Sequence, residues 1–139
     1  MNPTIGQLGR RLRLGMIGGG PGSFIGPVHR TAARIDDRYE IVAGVLSSNA
    51  GRSKAAARDI GIAEARAYAD WRELIERELA RADGIDVVAI MTPNDSHVPI
   101  ALGALAAGLD VICDKPLATS LDDALRLVRK VRESGSSSA

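Results

Sequence analysis

The stretch Arg13-Leu14-Gly15-Met16-Ile17-Gly18-Gly19-Gly20-Pro21-Gly22 governs how the rest of the chain is read. A short apolar run stops abruptly in glycines, the pattern of a buried strand that ends in a tight turn. From Gly26 onward Val28, Ala32, Ala33 and Ile35 recur at helical spacing, until Asp36-Asp37 ends the segment. Strand, turn and helix in that order form a crossover, and a crossover leads to a second strand parallel to the first.

The same alternation continues downstream. Residues 40–46 are apolar and β-branched, a second strand. Asn49 caps an alanine-rich helix running through Ile60, where Gly61 supplies a stop signal. An extended piece at 67–69 leads to Asp70, the cap of a helix over 71–81 with Trp71, Leu74, Ile75 and Leu79 on one face. Residues 86–91 form a strand closed by Thr92-Pro93-Asn94. Ser96 or Asp95 caps the next helix, whose face is Ile100, Leu102, Leu105 and Leu109 and which Gly108 terminates. Residues 110–113 are another strand, followed by Asp114-Lys115-Pro116. Ser120 and Asp123 have the spacing of a capping box, although Asp reaches back less well than Glu. They open a last helix on which Leu121, Leu125, Val128 and Val131 sit one above another.

Strands alternating with helices of this length predict an α/β fold, with a doubly wound parallel sheet of about five strands and helices on both faces. The strand runs are continuously apolar, as burial on both faces requires. In such a sheet ligands bind beyond the carboxyl ends of the strands. Every unusual turn lies at such an end: the glycine loop, Ser47-Ser48, Thr92-Pro93-Asn94 and Asp114-Lys115-Pro116.

Composition removes several classes of function. The 139 residues carry 18 basic and 17 acidic side chains for a net charge of +1, without the basic bias of a nucleic-acid binder. Aromatic residues make up 3%, too few for a base-stacking platform. Cys113 stands alone, which excludes an internal disulfide and a cysteine zinc cluster, and no metal site is expected. No apolar run approaches the ~20 residues of a membrane span. Arg10-Arg11 brings a twin-arginine export signal to mind, but the following stretch is broken by glycine and proline and lacks a helical apolar region. The arginines read as a solvated approach to the first strand. The expected organisation is an N-terminal tail (1–11), one nucleotide-binding domain (12–135) and a disordered polar tail (136–139), in a cytoplasmic protein.

The glycine loop carries the first chemical signal. Gly18, Gly20 and Gly22, between a strand and a helix, let the backbone approach a pyrophosphate while the helix N-terminus attracts its charge. Gly20 and Gly26 are six apart, where the common dinucleotide pattern has three, so Ser23, Phe24 and Ile25 are expected over or beside the phosphates. No Gly-Lys-Ser/Thr follows, which excludes a P-loop. An NAD site places an acid about 20 residues after the glycine motif, on the ribose 2′-hydroxyl. Here that position holds Ser47, then Ser48 and, a turn later, Arg52. Two hydroxyls and a guanidinium suit a 2′-phosphate, favouring NADP over NAD, although Arg52 also reads as an ordinary exposed helix arginine.

Gly18-x-Gly20…Gly26-x-x-His29, Thr92-Pro93-Asn94-x-x-His97 and Asp114-Lys115-Pro116, in this order and at these strand ends, resemble the N-terminal domain of the Gfo/Idh/MocA oxidoreductases. The resemblance spans about residues 12–135 and implies a Rossmann-type domain. It also implies hydride transfer between NAD(P) and a hydroxyl or carbonyl of a sugar, cyclitol or other polyol. By position, Thr92, Pro93 and Asn94 resemble the segment lining the nicotinamide, and Lys115 resembles the catalytic lysine that contacts the reacting hydroxyl. A cation beside a developing alkoxide stabilises its charge as hydride departs. Asp114 stands where the family commonly has Glu, and the X-Pro bond Lys115–Pro116 is of the type that adopts cis. His97 falls near the nicotinamide end, open between ligand contact and packing. His29 reads as a packing residue, and Cys113 as a small buried hydrophobe.

The family's enzymes carry a second domain that builds the substrate pocket, and after Glu133 nothing here supplies it or the usual sixth strand. The resemblance therefore implies the cofactor half of an oxidoreductase, with a polyol or sugar substrate only where a second domain is provided. A stand-alone nucleotide-binding or sensor module acting with a partner chain is the alternative. No nucleic-acid or membrane partner is expected. The strand at 110–113 would be left as a free edge, and free edges invite homo-oligomers.

Overall fold

Leu12–Gly18 forms β1, and the sheet is assembled on its two sides. β2 (Tyr39–Val45) pairs with one edge and β3 (Val87–Met91) with the other, both parallel, so that Met16 lies between Gly44 and Ala89. β4 (Asp110–Cys113) extends the sheet from β3, also parallel, giving the order β2-β1-β3-β4. This is the computed structural model of the chain, describing residues 2–135; the expected polar tail 136–139 lies outside the described residues. Four strands form where about five were expected. The piece at 67–69 contributes only a single parallel bridge, Gly44 to Ala67, on the far side of β2.

Burial alternates along the strands between two cores. Leu14, Met16, Val87 and Ala89 face one side, with Ala33 of α2 (Ile25–Ile35) and Ala56 and Ala57 of α3 (Ala50–Asp59). Ile17, Val88, Ile90 and Val111 face the other, with Leu74 of α4 (Trp71–Leu79), Leu105 of α5 (His97–Ala106) and Leu127 of α6 (Leu121–Ser134). The alanines of α2 and α3 let those helices lie close to the sheet, which is how a chain with 3% aromatics fills a core. Gly108 does end the α5 segment, but Leu109 lies beyond the helix and is buried at the start of β4.

Three local expectations change. The segment before Leu12 contains a short helix, α1 (Pro3–Leu8), capped by the Asn2 side chain and closed at Gly9. Its arginines are docked rather than merely solvated: Arg10 forks onto Asp86 at 2.7 and 2.9 Å, and Arg11 onto Asp37 at 2.8 Å. Neither Ser96 nor Asp95 caps α5 through its side chain; a 3-10 turn, Asn94–Ser96, leads into the helix, and Ser96 Oγ bonds Thr92 Oγ1 and the Pro93 carbonyl instead. On α6 the buried side chain is Leu127, while Leu121, Leu125 and Val128 are exposed. The Ser120 hydroxyl accepts from the Asp123 N–H at 3.2 Å, but Asp123 turns to Arg126 rather than closing the box.

Among the described residues, one ionic cluster is buried. Arg66, in the 3-10 turn Glu64–Arg66, forks onto Glu78 of α4, and the Tyr68 hydroxyl donates to the same carboxylate at 2.8 Å. Burial, with Glu78 beside it, pushes the Tyr68 phenol up to about 12. The cluster pins residues 66–68 beside β2 and thereby sets where Ala69, Asp70 and Trp71 emerge at the strand ends. Glu78→Ala leaves a buried guanidinium without its carboxylate, so urea unfolding is expected to show a loss of about 3–5 kcal/mol; a loss under about 1 kcal/mol would show that the cluster does not hold this segment.

Asp86 offers a second check. Partial burial raises its carboxyl, but the Arg10 guanidinium and the Arg13 N–H at 2.8 Å outweigh that, leaving it below the ordinary carboxylate value. A lowered folded-state pKa gives stability that is present above the unfolded value near ~4 and lost as pH falls through the folded one. Asp86→Asn is therefore expected to lower stability at neutral pH and to flatten its decline below about pH 4, measured by urea melts across that range.

Candidate functional site

Going outward from the sheet, β1 and β3 send their connections in opposite directions, β1 toward β2 and β3 toward β4. A crevice opens at such a reversal. Here it is a cleft of about 480 Å³ beyond the strand ends. The glycine loop after β1 forms its floor, Leu46 to Ser48 one wall, Thr92 and Pro93 the opposite one, and Ala69 to Trp71 the far end.

The glycine loop is shaped by backbone contact. Gly18, Gly19 and Gly22 adopt positive φ. A Cβ on Gly20 would lie 1.9 Å from the Leu46 carbonyl oxygen, and one on Gly26 would lie 2.0 Å from that of Gly19. The loop is thus clamped between the end of β2 and the first turn of α2. Ser23 Oγ accepts from the Gly26 N–H at 3.1 Å, closing the bulge over the helix start, and Arg30 donates to the Gly19 carbonyl at 3.0 Å. Both roles went unread in the sequence, although a serine three residues ahead of a helix glycine is a capping signal.

Behind the β2 end lies a serine that no sequence pattern singles out. Ser53, on α3 and buried, donates to the Tyr68 carbonyl at 2.6 Å and accepts from the Leu46 N–H at 3.2 Å. It joins the Ser47-Ser48 wall to the segment that carries Asp70. Ser47 Oγ accepts from the Asn49 N–H at 3.1 Å, and Asn49 Oδ1 caps α3 at the Arg52 N–H at 3.0 Å. Among the residues lining the cleft Asp70 is the one carboxylate, and it is engaged in capping α4 at Arg72 and Glu73.

The nicotinamide-side residues implied by the resemblance are arranged around a buried histidine. His97 sits at the first turn of α5, its Nε2 2.8 Å from the Thr92 carbonyl oxygen and its Nδ1 2.8 Å from that of Pro116. Both neighbours are acceptors, so the single N–H of a neutral ring donates to one of these carbonyls while the ring itself sits between the loops after β3 and β4. The Lys115–Pro116 bond is cis, and Asp114 Oδ1 accepts from the Lys115 N–H at 3.0 Å.

Gly18, Gly20, Ser23, Ser47, Ser48, Thr92 and Pro93 line the cleft together. Gly22 lines a smaller neighbouring pocket with Arg30 and Asp59. Phe24 is 86% exposed, and Ile25 packs against the α2-side core, so these two do not roof the cleft as expected of the longer loop. Arg52, Asn94 and Lys115 are exposed, Asp114 is half-buried, and His97 is buried as the strut between loops; none of the five lines the cleft. His29 is half-buried on α2. Burial and the neighbouring Asp114 push the Cys113 thiol up to about 11, so at neutral pH it is protonated and a poor nucleophile.

Because backbone oxygens stand where new Cβ atoms would go, Gly20→Ala and Gly26→Ala must displace the loop from β2 or α2. Each is expected to cost about 1–3 kcal/mol in urea unfolding, and to weaken dinucleotide affinity at least tenfold in a fluorescence titration (about 1.4 kcal/mol). Unchanged affinity in both variants would separate the loop from ligand binding.

Comparison with known proteins follows the same outline. The family profile described as "Oxidoreductase family, NAD-binding Rossmann fold" matches residues 12–138. An uncharacterized oxidoreductase of Bacillus subtilis is 39% identical over 79% of this chain and 28% of its own length. Inositol 2-dehydrogenase of Corynebacterium glutamicum is 33% identical over 87% of this chain and 33% of its own. Among solved structures, an inositol dehydrogenase homolog from Azotobacter vinelandii, complexed with NADH and myo-inositol, superposes with a TM-score of 0.89 at 38% identity, over 91% of this chain and 34% of that one. An oxidoreductase from Sinorhizobium meliloti superposes with a TM-score of 0.86 at 46% identity, over 93% of this chain and 36% of that one. The chain thus spans about a third of the length of the relatives it matches. Within that span it belongs to the Gfo/Idh/MocA oxidoreductase family, as its NAD-binding Rossmann domain.

Proposed function

We propose that this domain binds NADP(H) across the cleft, in preference to NAD(H), and serves hydride transfer between a polyol or cyclitol hydroxyl and the corresponding carbonyl. The observation that carries the reading is convergence: the glycine loop, the Ser47-Ser48 wall and the Thr92-Pro93 wall meet on one crevice at the chain reversal. The residues present fit a dinucleotide. The glycine backbone and the start of α2 receive the pyrophosphate, in a loop kept open by the missing Cβ atoms of Gly20 and Gly26.

The cofactor preference rests on the end of β2. Ser47 uses an oxygen lone pair to hold the Asn49 N–H, which leaves its O–H to donate outward, and Ser48 and Arg52 stand exposed beside it. Hydroxyl and guanidinium donors attract a 2′-phosphate, whereas a carboxylate there would repel one. The Azotobacter relative is described with NADH, so the preference is the finer part of the proposal and is tested separately.

At the other end, Thr92 and Pro93 line the place assigned to the nicotinamide, which when bound accepts or returns the hydride, and the exposed Asn94 follows them just outside the cleft. Lys115 is assigned to the substrate oxygen. In the reducing direction its ammonium donates to the carbonyl oxygen, holds the negative charge that develops there as hydride reaches the carbon, and passes it a proton to give the hydroxyl. Oxidation is the same step reversed, with the hydroxyl proton returning to the lysine nitrogen. His97 sits between the Thr92 and Pro116 backbones and so sets the spacing between those two loops. A substrate must also be held against the nicotinamide within van der Waals reach before hydride moves.

Titrating the purified chain with NADPH and NADH, followed by fluorescence, tests both levels. The proposal expects saturable binding of both, NADPH tighter, and a reversed order in Ser47→Asp. Tighter NADH binding by the wild type contradicts the NADP preference alone; no binding of either nucleotide contradicts the function.

A further inference from the structure

The last helix shows two apolar stripes, and the domain uses one. Leu127 and Val131 turn inward, with Leu127 buried against α5 and Val131 packed on the same core. Leu121, Leu125 and Val128 form a second stripe and are 74%, 45% and 41% exposed. An isolated exposed leucine needs no explanation, but three on one line of one helix do.

The spacing of the outer stripe is four then three, and a further four brings it to Arg132. That is the a/d seam of a helix that packs against another helix. Asp122 and Arg129 follow Leu121 and Val128 respectively, seven residues apart, and so flank the seam on the same edge. Among the described residues neither takes part in an ion pair; the acid beside them, Asp123, is already paired with Arg126 at 2.9 Å, and Arg129 Nε reaches only the Leu125 carbonyl at 3.3 Å.

This edge is complementary to itself. When two copies of α6 are laid antiparallel about a two-fold axis, Leu125 of each meets Val128 of the other, and Leu121 lies along the aliphatic stem of Arg132. Asp122 of each copy then faces Arg129 of the other, twice by symmetry. Parallel packing would place Asp122 and Arg129 on opposite sides of the pair, with Arg129 facing the Ala124 flank of the other helix, and neither ion pair would form. The acidic first turn and basic last turn of α6 favour the same antiparallel sense. The competing surface, the β4 edge, is four residues long and opens on the exposed Asp110, a short and charged edge of the kind that resists strand pairing.

We propose that the outer face of α6 is a docking surface for a second copy of this chain, forming an isologous antiparallel helix pair about Leu125 and Val128. The inference rests on the helix and its charges, independently of the cofactor reading.

Sedimentation of the 139-residue chain from micromolar to millimolar concentration tests it. The wild type is expected to dimerise reversibly and Leu125→Lys to remain monomeric, with unchanged circular dichroism and an unchanged urea midpoint at low concentration as the control for folding. Asp122→Arg and Arg129→Asp each place like charges opposite one another twice, and each is expected to weaken self-association by about tenfold or more. Mixed in equal amounts, the two variants set the arginine introduced in one against the aspartate introduced in the other. The native Arg129 of the first then faces the native Asp122 of the second, and the mixture is expected to recover the dimer. A wild type that stays monomeric throughout, a dimer that survives Leu125→Lys as β4-edge pairing would, or a mixture no better than its parts would overturn the proposal.

Discussion

A Cβ on Gly26 would lie 2.0 Å from the Gly19 carbonyl oxygen, and one on Gly20 would lie 1.9 Å from that of Leu46. These two absences allow β1, the glycine loop, the β2 end and the start of α2 to touch through backbone alone. Everything proposed for the cleft depends on that contact. It brings backbone N–H groups and a helix N-terminus to one place, where an anionic bridge can lie close without meeting side chains. It also holds Leu46, and hence Ser47 and Ser48, at a fixed distance from the loop.

Around this contact the domain places polar side chains mainly as fasteners between loops. Ser53 ties the β2 end to Tyr68, the Arg66–Glu78–Tyr68 cluster holds the following segment, and His97 spans the Thr92 and Pro116 backbones. No buried side-chain N or O among the described residues lacks a hydrogen-bond partner. Buried polar groups that are fully satisfied make a site rigid, because each alternative arrangement would strand one of them. Rigid positioning is what a hydride transfer asks of its cofactor half.

Much of this was legible in the sequence because the relevant signals are local. An apolar run ending in glycines, Asn49 and Asp70 ahead of their helices, and Thr92-Pro93-Asn94 after a strand each point to one local geometry. What escaped was set by tertiary contact. The 67–69 piece looks like a strand, but it has β2 on one side only and forms a single bridge. The N-terminal arginines look like a solvated tail until Asp86 and Asp37, distant in sequence, fork onto them. On α6, four apolar positions share a side in projection, and only the packing against α5 reveals that Leu127 takes the core and leaves Leu121, Leu125 and Val128 outside. Ser53 and Arg30 carry no pattern at all; their roles exist only once their backbone partners are in place.

What matters most is whether a nicotinamide dinucleotide lies in the crevice between the glycine loop, the β2 end and the Thr92 loop. Backbone amide NMR of the labelled chain during NADPH titration reads this directly. Saturable shifts are expected at Gly18–Ser23, Leu46–Ser48, Ala69–Trp71 and Thr92–Ser96, with a single dissociation constant across the four segments. Shifts that are absent at the glycine loop, or that cluster at the opposite end of the sheet around Arg10, Asp37 and Asp86, would contradict it.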